Sequence, residues 1–246
     1  MLKVLKRAAT AAALSLCLGS LATAQTSNTA PAKPPPPVPD MFALFQMHYK
    51  VRTEAFRDEN LNFQNVVLLG DSITEGFKVQ KFFPFHHILN RGIGSDVIGN
   101  DIPADDVRGV LKRMDESVFD CATSHVFIMI GINDLGMGHS VEQVVSGWRQ
   151  ILDEIHGRAP EVTVHIESLL PCRGNFAKHN EHIRQINAEL KKLADEYGYK
   201  YLDLYSLFCD NKNELKAELT HDGLHCNDAG YKIWTAEIEK QMGWRE

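Results

Sequence analysis

Ser72 stands in the run Gly70-Asp71-Ser72-Ile73-Thr74, directly behind the apolar stretch Val66 to Leu69. A serine at a strand-to-helix turn projects its hydroxyl beyond the end of the sheet, where a base can take its proton and helix N-terminal amides can face a nearby anion. A base is on offer near the C-terminus, in Asp222-Gly223-Leu224-His225. A carboxylate three residues before a histidine on one turn can fix the imidazole tautomer and stabilise the imidazolium that forms when it accepts a proton. A third piece, Gly131-Ile132-Asn133-Asp134, follows the apolar run Val126 to Ile130. An Asn side chain there can donate to a developing oxyanion, a contribution of about 3–4 kcal/mol. A fourth, Asn90-Arg91-Gly92-Ile93-Gly94-Ser95-Asp96, is a glycine-containing loop able to aim backbone amides at the same point. Each piece alone has an ordinary structural use, since Gly-Asp-Ser and Gly-x-Asn-Asp make good turns and N-caps and an isolated Asp-x-x-His can be a surface histidine beside a capping aspartate.

Taken in chain order, from Gly70 through Asn90 and Gly131 to Asp222, each behind a β-rich run, the four pieces resemble the blocks of the SGNH or GDSL serine acylhydrolases, over nearly all of Asn65 to Trp244. The loops and helices look closest to the branch holding platelet-activating-factor acetylhydrolase subunits and secreted bacterial esterases. The resemblance implies a flavodoxin-like three-layer sandwich with Ser72 as nucleophile, His225 as base and then acid, and Asp222 as its orienting partner. It also implies an oxyanion hole from the Ser72 amide, the Ser95 amide and the Asn133 side chain. Family members usually carry glycine where this chain has Ser95, so Gly94 is the alternative donor. The glycine spacing of the larger α/β-hydrolase nucleophile elbow is absent, because Thr74 stands two residues after the serine.

Positioning these residues requires a particular scaffold. Short β-branched runs at Val66 to Leu69, Val126 to Ile130, Val162 to Ile166 and Lys200 to Leu204 alternate with helical periods, the pattern of a parallel sheet of about five strands covered by helices. In such α/β sheets ligands sit beyond the carboxyl ends of the strands, where all four pieces fall. The clearest helix runs from Val141 to about His156, with Ser140 and Gln143 as a capping box. A second spans about Lys178 to Tyr197 and ends at Gly198. Others are expected near Phe42 to Arg57, Asp105 to Asp115 and Ala229 to Met242. Trp148 falls at a helix-core position, a packing residue rather than a substrate contact.

The chain has 246 residues, but the first forty differ in composition. Lys3, Lys6 and Arg7, an Ala/Leu-rich run and Ala22-Thr23-Ala24 predict a cleaved secretory signal over 1–24. The run is too short for a membrane span, and Leu16 before Cys17 argues against lipidation. Residues 25–40 read as a proline-rich spacer and 41–246 as one hydrolase domain. The expected destination is secreted or periplasmic, without stable membrane insertion after cleavage. Losing the three cations of the leader takes the net charge from −6 to −9, which argues against nucleic acid as a partner.

His221, His225 and Cys226 could be read as zinc ligands, but no glutamate stands between the histidines and Gly223 disfavours a helix there, so neither metal nor cofactor is expected. At most one pair among Cys172, Cys209 and Cys226 is expected to bond, with Cys121 at the opposite end of the sheet. The expected activity is hydrolysis of short acyl esters, acetyl above all, on a small molecule or a carbohydrate. The alternatives are a thioesterase or lysophospholipase, an O-acyltransferase, and a non-catalytic carbohydrate-binding domain. Loops at Lys78 to His87, Leu135 to His139 and Cys172 to His179 would set specificity, and their residue types do not choose between sugar and lipid.

Overall fold

A computed structural model describes residues 40–60 and 66–244. The leader read over 1–24 and nearly all of the spacer lie outside the described residues. The exception is Asp40, whose carboxylate caps the first helix by accepting from the Ala43 amide at 2.7 Å. In chain order the elements are α1 (Met41–Glu59), β1 (Val66–Gly70), α2 (Ser72–Glu75), α3 (Val79–Phe82), β2 (Ile88–Gly92), α4 (Met114–Ser117), β3 (His125–Met129), α5 (Ile132–Gly136), α6 (Val141–Arg158), β4 (Thr163–Glu167), α7 (Asn180–Tyr197), β5 (Lys200–Leu202), α8 (Leu204–Phe208) and α9 (Asp228–Met242).

The strands form one parallel sheet in the order β2-β1-β3-β4-β5. Val66 of β1 is level with Ile88 of β2 and His125 of β3, so the carboxyl ends of these strands are in line. Successive side chains of a strand point to opposite faces. All five residues of β1 are buried, so both faces of the sheet are covered, which makes a three-layer α/β/α sandwich. Val67, Leu68, Phe127, Ile128, Val164 and Ile166 form its centre, with Trp148 of α6, Leu190 of α7 and Trp234 of α9 packed against them. The α6 N-terminus carries the capping box in full. Ser140 Oγ accepts from the Gln143 amide at 3.3 Å, and the Ser140 amide donates to Gln143 Oε1 at 2.9 Å.

Two expectations about elements are corrected. The stretch Asp105 to Asp115 is not a helix: it holds a 3-10 turn at Val110–Arg113 and then α4. Helical phase breaks at Gly109, where φ is 135°, and Arg108 and Arg113 turn inward as buried cross-links. The last strand ends at Leu202, and Leu204 opens α8 behind the cap of Asp203.

Candidate active site

Ser72 is the first residue of α2, one position past Asp71, which follows β1. Asp71 caps this one-turn helix, its Oδ1 accepting from the Ile73 amide at 2.9 Å. Asp71 is itself almost wholly buried, and burial pushes its carboxyl up to about 7. The cap leaves the Ser72 hydroxyl pointing out of the sheet. Two contacts fix α2 against the edge strand. Asn90 of β2 donates from Nδ2 to the Thr74 and Phe77 carbonyls at 2.7 and 2.8 Å. Gly92 meets the α2 backbone so closely that a Cβ there would lie 2.1 Å from the Glu75 nitrogen.

The Ser72 hydroxyl donates to His225 Nε2 at 2.9 Å, and His225 Nδ1–H donates to Asp222 Oδ2 at 2.6 Å. The other Asp222 oxygen accepts from the Leu224 and His225 amides at 2.9 and 2.8 Å. Partial burial pushes the Asp222 carboxyl up, but the hydrogen bonds from the His225 ring and from these two amides outweigh it and hold the group well below the usual carboxylate range. Asp222 therefore stays ionised beside the imidazole. Both ring nitrogens of His225 are engaged, so neither is turned to a metal. The loop is anchored at Gly223, whose φ is 88° and whose Cβ, if present, would sit 2.6 Å from the Arg173 carbonyl oxygen. The Arg173 amide donates to the Gly223 carbonyl at 2.8 Å. Glycine is required there both for the left-handed backbone and for the close approach.

The glycine loop behind β2 ends in a tight turn, with the Asp96 amide bonded to the Ile93 carbonyl at 3.1 Å. Ser95 occupies its third position with φ 62°, a place that type II turns normally give to glycine or asparagine. Ser95 thus adopts the conformation its position demands. Gly94 fares differently. Its amide donates to Glu75 Oε2 at 2.6 Å, so the alternative donor is already engaged. The Ser95 carbonyl accepts from Arg108 Nη1 at 2.6 Å. Asn133, in the first turn of α5, donates from Nδ2 to the Asp96 carbonyl at 2.8 Å, which brings its amide to the same loop.

Several supporting residues carry no signal in the sequence. Arg113 is fully buried and donates to Asp96 Oδ2 (2.9 Å), the Arg91 carbonyl (2.9 Å) and the Gly70 carbonyl (3.0 Å), tying the glycine loop to the strand end before Ser72. Glu75 receives His48 at 3.0 Å and Arg52 at 3.4 Å from α1, as well as the Gly94 amide. Glu167, at the end of β4, is buried and accepts from Trp234 Nε1 at 2.6 Å. These partners are 17 to 67 residues apart in the chain, beyond the reach of any local motif. The four cysteines among the described residues, Cys121, Cys172, Cys209 and Cys226, are free thiols, Cys121 just ahead of β3 and Cys172 behind β4.

Beside Ser72 and His225 opens a cleft of about 690 Å³, lined also by Gly76, Lys78, His221 and Tyr231. A second cavity of only about 10 Å³ lies between Asp71, Ile73, Ile132, Leu169 and Leu224.

Residues 68–233 match the GDSL-like Lipase/Acylhydrolase family. The match takes in Ser72, Ser95, Asn133, Asp222 and His225 and leaves α1 outside. The alpha1 subunit of human platelet-activating factor acetylhydrolase IB is 25% identical over 210 residues, covering 82% of this chain and 84% of the subunit. A GDSL-like lipase from Bacteroides thetaiotaomicron superposes with a TM-score of 0.67 at 21% identity, over 78% of this chain and 97% of its own. An acetylxylan esterase from Geobacillus stearothermophilus, solved as a catalytic mutant, superposes with a TM-score of 0.56 at 19% identity, over 73% and 94%.

Proposed function

The chain belongs to the GDSL-like lipase/acylhydrolase family and is an ester-hydrolysing enzyme, and from that premise we propose that it removes short acyl groups, acetyl above all, through an acyl-enzyme on Ser72. The observation that carries this reading is the unbroken hydrogen-bond chain Ser72–His225–Asp222. His225 Nε2 takes the hydroxyl proton as Ser72 Oγ attacks the ester carbonyl carbon, and the carbonyl π electrons move onto oxygen. The ionised Asp222 stabilises the imidazolium. The oxyanion is received by the Ser72 and Ser95 amides and by the Nδ2 proton of Asn133 that is not given to Asp96. When the tetrahedral intermediate collapses, the bond to the alcohol oxygen breaks and His225 returns its proton to that oxygen. Water, deprotonated by His225, then releases the acid and restores Ser72.

The open cleft beside Ser72 and His225 has room for a sugar-sized alcohol. The likeness to an acetylxylan esterase supports the same choice. Residues 1–24 are read as the leader that carries the enzyme out of the cytoplasm, residues 25–40 as a spacer and 41–246 as the catalytic domain.

Ser72→Ala tests the assignment. The variant is expected to lose p-nitrophenyl acetate hydrolysis by several powers of ten in kcat, and the wild type to be labelled at Ser72 by a fluorophosphonate. Wild-type turnover by the variant sinks the reading.

A further inference from the structure

We propose that the cleft on the His225 side of Ser72 selects esters whose alcohol portion carries a negative charge, with Lys78 as its principal contact. This rests on the assignment of Ser72 and His225 above. The leaving alcohol must take its proton from His225 Nε2, so the alcohol lies on the side of Ser72 where His225 stands. That side is the 690 Å³ cleft, and Lys78, His221 and Asp228 are on its wall together with Ser72 and His225.

Among the described residues, the Lys78 ammonium on this wall is left without a carboxylate partner of its own. The wall's single acid apart from the catalytic pair is Asp228, and Lys81 Nζ already holds Asp228 Oδ2 at 2.5 Å. The hydrogen bond from Lys81, and beyond it the fields of Lys78 and Lys232, keep the Asp228 carboxyl below its usual range, so three ammonium groups converge on one carboxylate. Asp222 is held by the His225 ring, whose neutral form leaves that carboxylate its negative charge. Glu75, on the far side of Lys78, is matched by Arg52 and His48. Lys78 and Lys232 are exposed, and among the described residues neither ammonium has a carboxylate within salt-bridge distance. Lys78 is thus the cation on this wall left free to meet a ligand, on a chain whose net charge is −6. An anionic alcohol would be repelled by most of this surface and drawn to this one place, a field arrangement that raises local substrate concentration. An ammonium on a flexible stem suits a carboxylate or a phosphate as a point charge, without demanding one planar geometry.

The experiment compares kcat/KM of the wild-type protein on an O-acetylated oligogalacturonate, on 1-acetylglycerol 3-phosphate, and on a neutral O-acetylated xylo-oligosaccharide and 1-acetylglycerol as their uncharged counterparts. At least one anionic ester is expected to exceed its counterpart about tenfold at low salt, chiefly through KM. The margin should shrink in 0.5 M NaCl, because exposed charges are screened. Preference for the uronate alone assigns the site to carboxylated sugars, and preference for the phosphate alone assigns it to phosphoesters. Lys78→Glu should reverse the ranking so that the neutral ester is preferred, with Lys78→Gln in between. Equal rates on charged and neutral esters, or a preference that survives Lys78→Glu, overturn the proposal. Hydrolysis of p-nitrophenyl acetate by the wild type separates this failure from failure of the serine-esterase reading. Turnover without charge preference removes only the inference, whereas turnover that survives Ser72→Ala removes the reading beneath it.

Discussion

At the scale of single residues, Ser95 is the point where this chain departs from the family pattern and still meets the backbone requirement. A left-handed φ costs an ordinary L-residue about 1–2 kcal/mol, of which glycine gives back part through its looser unfolded state. Ser95→Gly should therefore raise the free energy of unfolding by about 0.5–1 kcal/mol, read as a higher urea midpoint at unchanged slope. Hydrolysis of p-nitrophenyl acetate should persist in that variant, because the amide survives the change. A lower midpoint would show that Ser95 is not held in the left-handed region. Ser72, Asn133, Asp222 and His225 were legible in the sequence because each lies in a short motif with its own local geometry. The choice between Ser95 and Gly94 was not, since it turns on Glu75, a residue of another element whose carboxylate engages the Gly94 amide. Lys78 was noted only as the start of a loop, and its meaning comes from the absence of a matching acid, which no sequence pattern displays.

Elements were read well where one period governs them. The buried strands announce themselves as β-branched runs, and α6 and α7 as amphipathic stripes with caps at the expected ends. The Asp105 to Asp115 stretch misled because its apolar spacing is helical while its arginines are recruited by Asp96 and Asp106. The nucleophile turn depends on contact between elements as much as on its own sequence. Gly92→Ala would push a methyl to within 2.1 Å of the Glu75 nitrogen and 2.6 Å of the Thr74 carbonyl carbon, both backbone atoms. It should cost about 3 kcal/mol and lower kcat, because β2 and α2 must part and Ser72 moves with α2. Gly157→Ala, which meets nothing within 4 Å near the end of α6, serves as the control and should gain up to about 1 kcal/mol. Chemical denaturation of the two variants checks the contrast.

Across the whole molecule, the sheet gathers buried acids whose charged forms the fold disfavours. Burial pushes the Glu167 carboxyl up to about 8, with the Trp234 hydrogen bond pulling partly against it, and the Asp71 and Asp134 carboxyls up to about 7. An unfolded glutamate ionises near 4.3. Between there and pH 8 the folded chain keeps a proton that the unfolded chain has released, so stability falls as pH rises, by up to about 1.4 kcal/mol per unit. Below and above that window Glu167 contributes no slope. The wild type should therefore lose more stability from pH 5 to pH 8 than Glu167→Gln, measured by urea unfolding at both values, and parallel losses would show that Glu167 is not held neutral. The same sheet joins two ends of the chain, for Ser72 lies 153 residues ahead of the histidine that receives its hydrogen bond. At ribosomal speeds of roughly 5–20 residues per second, the serine emerges roughly 8–30 s before that histidine is added. On the proposed roles, the growing polypeptide carries its nucleophile without a base throughout that interval, and no nascent chain would cleave an ester before the last part of its message has been read.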